Sequence, residues 1–420
     1  MEKRSKDNGQ ACLRLWMVAL VLLAALPAAW AQDTTAATAG QDNSSEAKPK
    51  FEIYGFAMLD MGYQKGASHP DWYDVVRPTQ LPAFKDQYGP ESNFFAGVRQ
   101  SRLGFRSYVP TPLGEMKTIF EFELFGTGKN AGQTIFRLRH AWGEIGQFGA
   151  GQTWSPFMDP DVFPNTIEYW GPNGMVFFRS VHASWMPLRG NTSVTIAVEK
   201  PGASADQGVY SDRIELEGVK AHFPMPDFSG NFRQSGKWGH VQIAAILRRI
   251  EWEDLNHDQF DLSGSAMGWG FNLSTNLKVA KDTIRASVVY GRGIQNYMND
   301  APEDVGIENN FSNSSKPIIG KALPLLGIVA FYDHTWNDKF TSSIGYSLVD
   351  IDNSNGQADS AFKRGHYGLF NILYYPVSNF FIGPELQWGR RENFKDGWSY
   401  DDVRIQVSAK FNFKTTLGGK

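Results

Sequence analysis

Cysteine is almost absent from this chain of 420 residues, which contains only Cys12. Cys12 lies in a basic N-terminal head that we expect to be removed, so the mature chain would contain no cysteine. A fold that is held together by disulfides is therefore excluded. The composition fits a secreted chain that folds without them.

Long apolar runs are equally scarce. Apart from residues 15–31, no apolar tract is long enough for a membrane-spanning helix, and the mean hydropathy is −0.36. These observations argue against a bundle of membrane helices. They do not argue against a membrane barrel, because its strands alternate lipid-facing and lumen-facing residues and so average out as polar.

An excess of positive charge is missing, and so are the common catalytic motifs. The 41 Lys and Arg residues stand against 44 Asp and Glu, a net charge of −3, so no general attraction to nucleic acid is expected. Neither a Gly-x-Ser-x-Gly nor a His-Glu-x-x-His motif occurs, and His140, His182 and His366 lack metal-ligand spacing. The sequence therefore predicts no enzyme, no cofactor and no metal site.

The N-terminus carries the pattern of a secretory signal. Basic residues precede the apolar run, which ends at the small-residue site Ala29-Trp30-Ala31, as is typical of a cleaved signal peptide over residues 1–31. A membrane anchor is the alternative, but no stop-transfer charge follows the run. Residues 32–50 are polar and poor in bulky apolar side chains, which predicts a disordered periplasmic leader.

From Phe51 onward the chain alternates apolar and polar residues with a period of two. In residues 102–109, Leu103 and Phe105 share one face, whereas Arg102 and Arg106 share the other. Such alternation predicts β-strands with one apolar face. The pattern recurs in residues 116–124, in residues 136–142, where Phe136, Leu138 and Trp142 oppose Arg137 and Arg139, and in residues 403–413.

The links between these strands alternate between short and long. Seven brief turns and eight longer loops indicate 16 strands. Short turns at one rim and long loops at the other are typical of an outer-membrane barrel, whose closure leaves no sheet edge in lipid. The predicted fold class is all-β: a 16-stranded antiparallel transmembrane β-barrel over residues 51–413, surrounded by outer-membrane lipid, with residues 414–420 as a C-terminal extension.

Several motifs resemble those of DcaP-like trimeric outer-membrane porins, in the same order along the chain. They are "KFEIYGFAMLDMGY", "RQSRLGFR", "FRLRHAWGE", "GQTWSPFMDPDVFPNTIEYWGPNG" and "GKWGHVQIAAILRRI". The resemblance implies a homotrimer in which the third long loop folds into the barrel and narrows the pore. It also implies a preference for small anions, especially dicarboxylates.

The third long loop supplies one side of the predicted constriction. Pro156, Pro160 and Pro164 restrict its backbone, as a loop that stands inside a water-filled barrel requires. We expect its acids to face the basic wall across a narrow slot. The predicted constriction residues of the loop are Trp154, Asp159, Asp161 and Glu168.

Basic residues of the second to fourth strands form the other side, the predicted anion wall. Guanidiniums in a narrow, low-dielectric tube attract carboxylates and can bind them bidentately. The alternative is that these arginines pair with Glu121 and Glu123 and only hold the wall together. The predicted pore-lining residues are Arg102, Arg106, Lys117, Arg137, Arg139 and, after the loop, Arg179.

These observations predict an outer-membrane porin for the passive diffusion of small anionic solutes, and two other classes of protein are the alternatives. A barrel enzyme would need a catalytic set near the rim, and none is recognised. A sugar-selective channel would need a row of aromatic rings along the pore, whereas the candidates cluster within one loop. Those aromatic residues are Trp154, Phe157, Phe163, Tyr169 and Trp170.

Overall fold

The computed structural model describes residues 48–419. The predicted signal peptide, residues 1–31, and residues 32–47 of the predicted leader lie outside this range. Within the described range the helices are single turns of 3-10 helix, and no helix there is long and apolar enough to cross a membrane.

Antiparallel strands make up nearly all of the regular structure, as the alternation of apolar and polar residues predicts. The strands of residues 48–419 are β1 (Lys50–Gln64), β2 (Asn93–Gly97), β3 (Arg102–Thr111), β4 (Gly114–Phe125), β5 (Thr134–Ile145), β6 (Phe148–Trp154), β7 (Arg179–Leu188), β8 (Thr192–Glu199), β9 (Val219–His222), β10 (Asp227–Gly236), β11 (Gly239–Asp254), β12 (Gly264–Val279), β13 (Asp282–Arg292), β14 (Val305–Asn309), β15 (Ile318–Ala322), β16 (Pro324–Asn337), β17 (Phe340–Ile351), β18 (Phe362–Asn371), β19 (Leu373–Val377), β20 (Phe380–Asn393) and β21 (Ser399–Gly418).

All of these strands except β14 and β15 close into one barrel, whose wall has 16 strand positions around its circumference. β2 and β3, β9 and β10, and β18 and β19 each share a position, because the two members of each pair bond to successive parts of the same neighbour. β14 and β15 form a separate hairpin in the loop after β13. The barrel is closed by β1 and β21, which pair from Lys50↔Gly418 to Gln64↔Arg404. The predicted number of 16 strands is confirmed.

The two faces of the wall differ as the sequence pattern predicts. On β21, Val403 and Ile405 are exposed on the outer face, whereas Arg404 and Gln406 are buried on the lumen side. The outer apolar side chains suit lipid, and closure pairs the backbone groups of the wall strands that lipid cannot satisfy.

Short and long connections lie at opposite rims of the barrel, which we call the turn rim and the loop rim. The alternation follows from the antiparallel order of the strands. All seven predicted short turns are present at the turn rim: residues 112–113, 146–147, 189–191, 237–238, 280–281, 338–339 and 378–379.

The last strand is longer than the sequence pattern indicates. β21 continues past Phe413 to Gly418, and residues 414–418 pair with residues 50–54 of β1. The boundary placed at Phe413 therefore lies within the strand. Apolar alternation ends at Phe413 while backbone pairing continues, so periodicity alone does not mark the end of the strand.

A β-bulge in β5 corrects one predicted face. The register between β4 and β5 shifts by one residue where Glu121 pairs with His140 and Phe122 pairs with Leu138. Both Arg139 and His140 are therefore buried, and the parity changes for the rest of the strand. Trp142, predicted to lie on the outer face with Leu138, packs on the lumen side with its ring 4.7 Å from that of His182.

The loop between β6 and β7, residues 155–178, folds into the barrel as predicted; we call it the constriction loop. Its residues Phe157 and Met175 are fully buried. They belong to the same apolar cluster as Val289 and Leu325, which are wall residues. The loop is thus packed against the inner wall along its length.

Candidate pore constriction

Asp159 fixes the first half of the constriction loop to the wall formed by β10–β12. Its carboxylate lies 2.6 Å from Nε2 of His240, accepts a hydrogen bond from Oγ of Ser274 at 2.7 Å, and lies 3.3 Å from Nη1 of Arg233. Burial by itself raises the pKa of Asp159, but the hydrogen bonds from His240 and Ser274, together with the electrostatic attraction of His240 and Arg233, hold the pKa below its ordinary value. Asp159 is therefore an anchoring anion.

Asp161 lies at the same wall but remains about half exposed. Its carboxylate pairs with Arg233, and its backbone carbonyl accepts a hydrogen bond from Arg285. Asp159, Asp161 and His240 also offer three potential metal-ligand atoms within 4.8 Å of one another. Because Arg233 contacts both carboxylates, a guanidinium already balances the charge of this group.

Glu168 fixes the second half of the loop and is buried. Its Oε1 accepts hydrogen bonds from the backbone N–H groups of Val76 and Trp170, both at 3.0 Å, and its Oε2 accepts from Gly171 N–H and from the hydroxyl of Tyr367. Burial raises the pKa of Glu168 to about 7, although the backbone hydrogen bonds act in the opposite direction.

The three loop acids do not face the arginines of β3 and β5, which corrects the expected arrangement. Asp159 and Asp161 contact side chains of β10–β13, and Glu168 contacts Tyr367 of β18. Alternation specifies which residues of a strand face the lumen, but it does not specify the path of an irregular loop across it.

Glu121 and Glu123 of β4 lie at the centre of an arginine cluster. Arg139 donates from Nε to Oε1 of Glu121 at 2.8 Å, and its Nη1 pairs with Glu123. Arg137 donates from Nε to Oε1 of Glu123 at 3.1 Å, and from Nη2 to the hydroxyl of Tyr169 at 2.7 Å. The alternative in which these arginines pair with wall acids is therefore observed for Arg137 and Arg139.

Arg102 and Arg179 complete the cluster through longer contacts. Arg102 lies 3.6 Å from both Glu121 and Glu123, and Arg179 lies 3.9 Å from Glu123. Nε of Arg102 and Nη1 of Arg179 have no hydrogen-bond partner among residues 48–419. Four arginines therefore share two carboxylates, which leaves two positive charges of the cluster uncompensated.

The other two predicted wall cations lie outside this cluster. The guanidinium of Arg106 stacks 4.2 Å from the ring centre of Tyr54. Lys117 lies 3.7 Å from Glu144 and 3.9 Å from Glu115. Both residues lie nearer to the turn rim than the cluster does, because β4 begins at that rim and Arg106 pairs with Ile119.

Aromatic residues of the loop pack with one another and with the cluster. The ring of Trp154 has Arg179 at 4.9 Å and the ring of Phe177 at 5.1 Å. Phe157 packs against the ring of Tyr297, 6.1 Å away, and Phe163 packs against Phe177. Phe157 is fully buried by this packing, so it offers no surface to a solute.

A cavity of about 530 Å³ adjoins the arginine cluster and the constriction loop. Arg137 and Arg179 line it together with Tyr169 and Trp170. Two of the cluster arginines therefore face open space as well as the acids of the wall.

Two contacts at this site could not be found from the sequence. Tyr169 stacks on Phe125 with ring centres 3.9 Å apart, which brings its hydroxyl to Arg137. Arg77, from the loop between β1 and β2, lies 4.1 Å from the rings of both Trp72 and Trp170. These contacts join separate loops, and no periodic signal marks them.

A closed barrel of 16 antiparallel strands with an apolar outer face, and with one long loop folded inside, defines an outer-membrane porin. Residues 29–413 match the DcaP outer membrane protein family, which is nearly the whole sequence. The chain belongs to that family and is an outer-membrane channel protein.

Solved structures share the fold at low sequence identity. The outer membrane channel DcaP of Acinetobacter baumannii has a TM-score of 0.72 at 19% identity, covering 90% of this chain and all of the other. An anion-selective porin from Comamonas acidovorans has a TM-score of 0.54 at 10% identity, covering 87% and 100%. A trimer form of OmpT of Vibrio cholerae has a TM-score of 0.52 at 11% identity, covering 87% and 99%. No curated protein matches the sequence.

Proposed function

We propose that this channel conducts small anionic solutes by passive diffusion, with dicarboxylates as the preferred class, and that the arginine cluster selects them. The observation that carries the proposal is the unequal charge of the cluster. Among residues 48–419, the carboxylates within 4.0 Å of Arg102, Arg137, Arg139 and Arg179 are those of two acids, Glu121 and Glu123.

Charge selection follows from this excess. A solute carboxylate at the cluster gains charge-assisted hydrogen bonds from guanidinium groups whose N–H donors are not all used. A cation at the same place meets net repulsion in a confined lumen, where charges are screened less than in bulk water. One solved structure with the same fold is an anion-selective porin, which is compatible with this proposal.

The proposal is tested by the reversal potential of the reconstituted channel in a KCl gradient. We expect the sign of an anion-preferring pore, and we expect succinate to pass faster than a neutral solute of equal size in liposome swelling. The double variant Arg137→Gln/Arg179→Gln should lower the preference for chloride.

Arg249→Gln is the matched control, because Arg249 lies on the outer face with about 44% of its side chain exposed. It makes the same Arg→Gln substitution once, on the outer face, without changing the lumen. A reversal potential that is cation-selective in the wild type, or one that the double variant leaves unchanged, contradicts the proposal.

The assembly and the export of the chain belong to the same proposal. We propose that the chain is embedded in outer-membrane lipid, supported by its family, and that it forms a homotrimer, supported by a trimeric structure with the same fold. We further propose that residues 1–31 are cleaved on export. Native mass spectrometry in mild detergent should give three copies, each starting near Gln32.

A further inference from the structure

Three lumen-facing cations border the first strand, from Arg102 of the arginine cluster toward the turn rim. β1 lies between β3 and β21, and its residue Phe56 pairs with Arg102 while its residue Met58 pairs with Lys410. The Nζ atom of Lys410 lies 3.8 Å from the ring centre of Phe56, and the guanidinium of Arg102 lies 5.2 Å from it. Arg106 occupies the same position over Tyr54, two residues along β1. A strip of cations therefore borders a strip of aromatic rings.

Lys410 is not neutralised by a partner. Among residues 48–419, no carboxylate lies within 4.0 Å of its amine, whereas the neighbouring lysines Lys50 and Lys414 both pair with Glu52. Asp60 attracts Lys410 at longer range, but it is already engaged by hydrogen bonds from Ser408 at 2.5 Å and Gln406 at 3.2 Å.

Arg102 and Lys410 also repel each other, and Arg102 has only its 3.6 Å contacts to wall acids. Two cations held against one ring, with little compensation, are unfavourable in a confined lumen unless an anion joins them. The ring of Phe56 gives such an anion an apolar surface for its carbon atoms.

We propose that Arg102 and Lys410, both in contact with the ring of Phe56, form a second carboxylate-binding subsite. The subsite rests on the proposed anion conduction and extends it from Arg102, a member of the arginine cluster, to Lys410 of β21. A permeating carboxylate leaves the cluster, binds between the guanidinium and the ammonium, and then passes toward the turn rim along Arg106.

The subsite is suited to carboxylates rather than to chloride alone. A guanidinium presents two parallel donors and an ammonium presents three, so the two oxygen atoms of one carboxylate can bridge them. Chloride is attracted by the same charge but gains no bidentate geometry. Binding should therefore appear as a reduction of the chloride current by added carboxylate.

The test uses the full-length channel reconstituted in planar bilayers, with chloride current measured during titration by sodium succinate. Lys410→Met should raise the half-blocking succinate concentration by about tenfold, the effect of losing one charge-assisted hydrogen bond. Lys410→Arg keeps the charge and should remain close to wild type. Phe56→Leu should weaken block by a smaller factor while leaving the sign of the reversal potential unchanged.

Failure of this inference is distinguishable from failure of the proposed function. If the wild type selects anions and Lys410→Met is blocked as strongly as the wild type, the subsite is refuted while the proposed function stands. If the wild type is not anion-selective, the proposed function fails first. Heat-dependent gel mobility verifies that each variant forms the barrel, and equal block in Lys410→Met and Lys410→Arg overturns the role assigned to the charge.

Discussion

The two sides of the lumen use arginine in opposite ways. At the cluster, four arginines share Glu121 and Glu123. On the far wall, formed by β10–β12, one arginine has two acids instead, since Arg248 contacts both Asp227 and Asp304. The difference shows that facing the lumen does not make an arginine available to solutes. On the proposed function, the ratio of guanidiniums to carboxylates within contact distance decides whether an arginine attracts an anion or only holds the wall.

The largest effect should be on stability and should come from Arg139, which belongs to the arginine cluster and also holds the wall together. Arg139 is buried and pairs with Glu121 and Glu123. Its removal leaves these buried acids with weaker compensation, so Arg139→Met should reduce the free energy of unfolding by about 3–5 kcal/mol. Urea titration of the detergent-solubilised protein measures this change.

Arg106→Met is the control for that prediction. Arg106 has no carboxylate within 4.0 Å among the described residues and stacks on Tyr54, so its loss should change the free energy of unfolding by less than about 1 kcal/mol. Equal effects of the two substitutions would show that ion pairing does not hold the wall at Arg139.

The next effect is on the pH dependence of stability, which should have opposite signs for Glu168 and Asp159, the two buried acids of the constriction loop. Glu168 has a pKa of about 7 against an ordinary value of 4.5, because it is buried. The folded protein therefore binds a proton on Glu168 more tightly than the unfolded protein does. The stability that this protonation contributes is present in full below pH 4.5 and is lost as the pH rises through 7. The full effect is roughly 3 kcal/mol.

Glu168→Gln should remove that pH dependence. The variant and the wild type are compared by their urea midpoints between pH 4.5 and 8. For Asp159, whose pKa is lowered, the sign is reversed, and Asp159→Asn should remove stability that is lost as the pH falls. The same slope in the wild type and in Glu168→Gln contradicts the assignment.

A smaller effect is expected on selectivity when the charge ratio of the cluster is changed. Glu123→Gln leaves four arginines around one acid. The extra net charge should favour an anion in contact with the cluster by about 1 kcal/mol even at the dielectric constant of water, which is roughly a fivefold rise in the anion-to-cation permeability ratio. Reversal potentials in a KCl gradient report the change, and an unchanged ratio would show that solutes do not approach these side chains.

The smallest effect should come from the far wall. Asp161 is about half exposed and pairs with Arg233, so Asp161→Asn frees part of one guanidinium in a well-screened position. The anion-to-cation ratio should rise about twofold, in keeping with an exposed pair worth less than about 1 kcal/mol. A change larger than that of Glu123→Gln would place the main selectivity filter at the far wall instead.

The sequence was sufficient for the barrel but only partly for its constriction. Period-two alternation and the turn lengths predicted the 16 strands, because each is a local property of the chain. The same alternation placed Arg102 and Arg137 in the lumen. It could not reveal the bulge at Arg139 and His140, since one extra residue changes the register without an obvious change in composition.

The partners of the loop acids could not be predicted for a different reason. Asp159 meets His240, and Glu168 meets Tyr367, across more than 80 and nearly 200 residues of sequence respectively. Those contacts depend on the whole barrel being closed around the loop. A single sequence contains no local pattern that records them.

The seam between β1 and β21 has a consequence for how the molecule is made. β1 is synthesised before every other wall strand, yet its partner β21 is the last of them to leave the ribosome. Until β1 and β21 pair, both edges carry unpaired backbone groups, which lipid does not tolerate. Closure of the barrel therefore depends on the last strand, and a chain truncated within β21 yields an unsealed sheet, not a smaller pore.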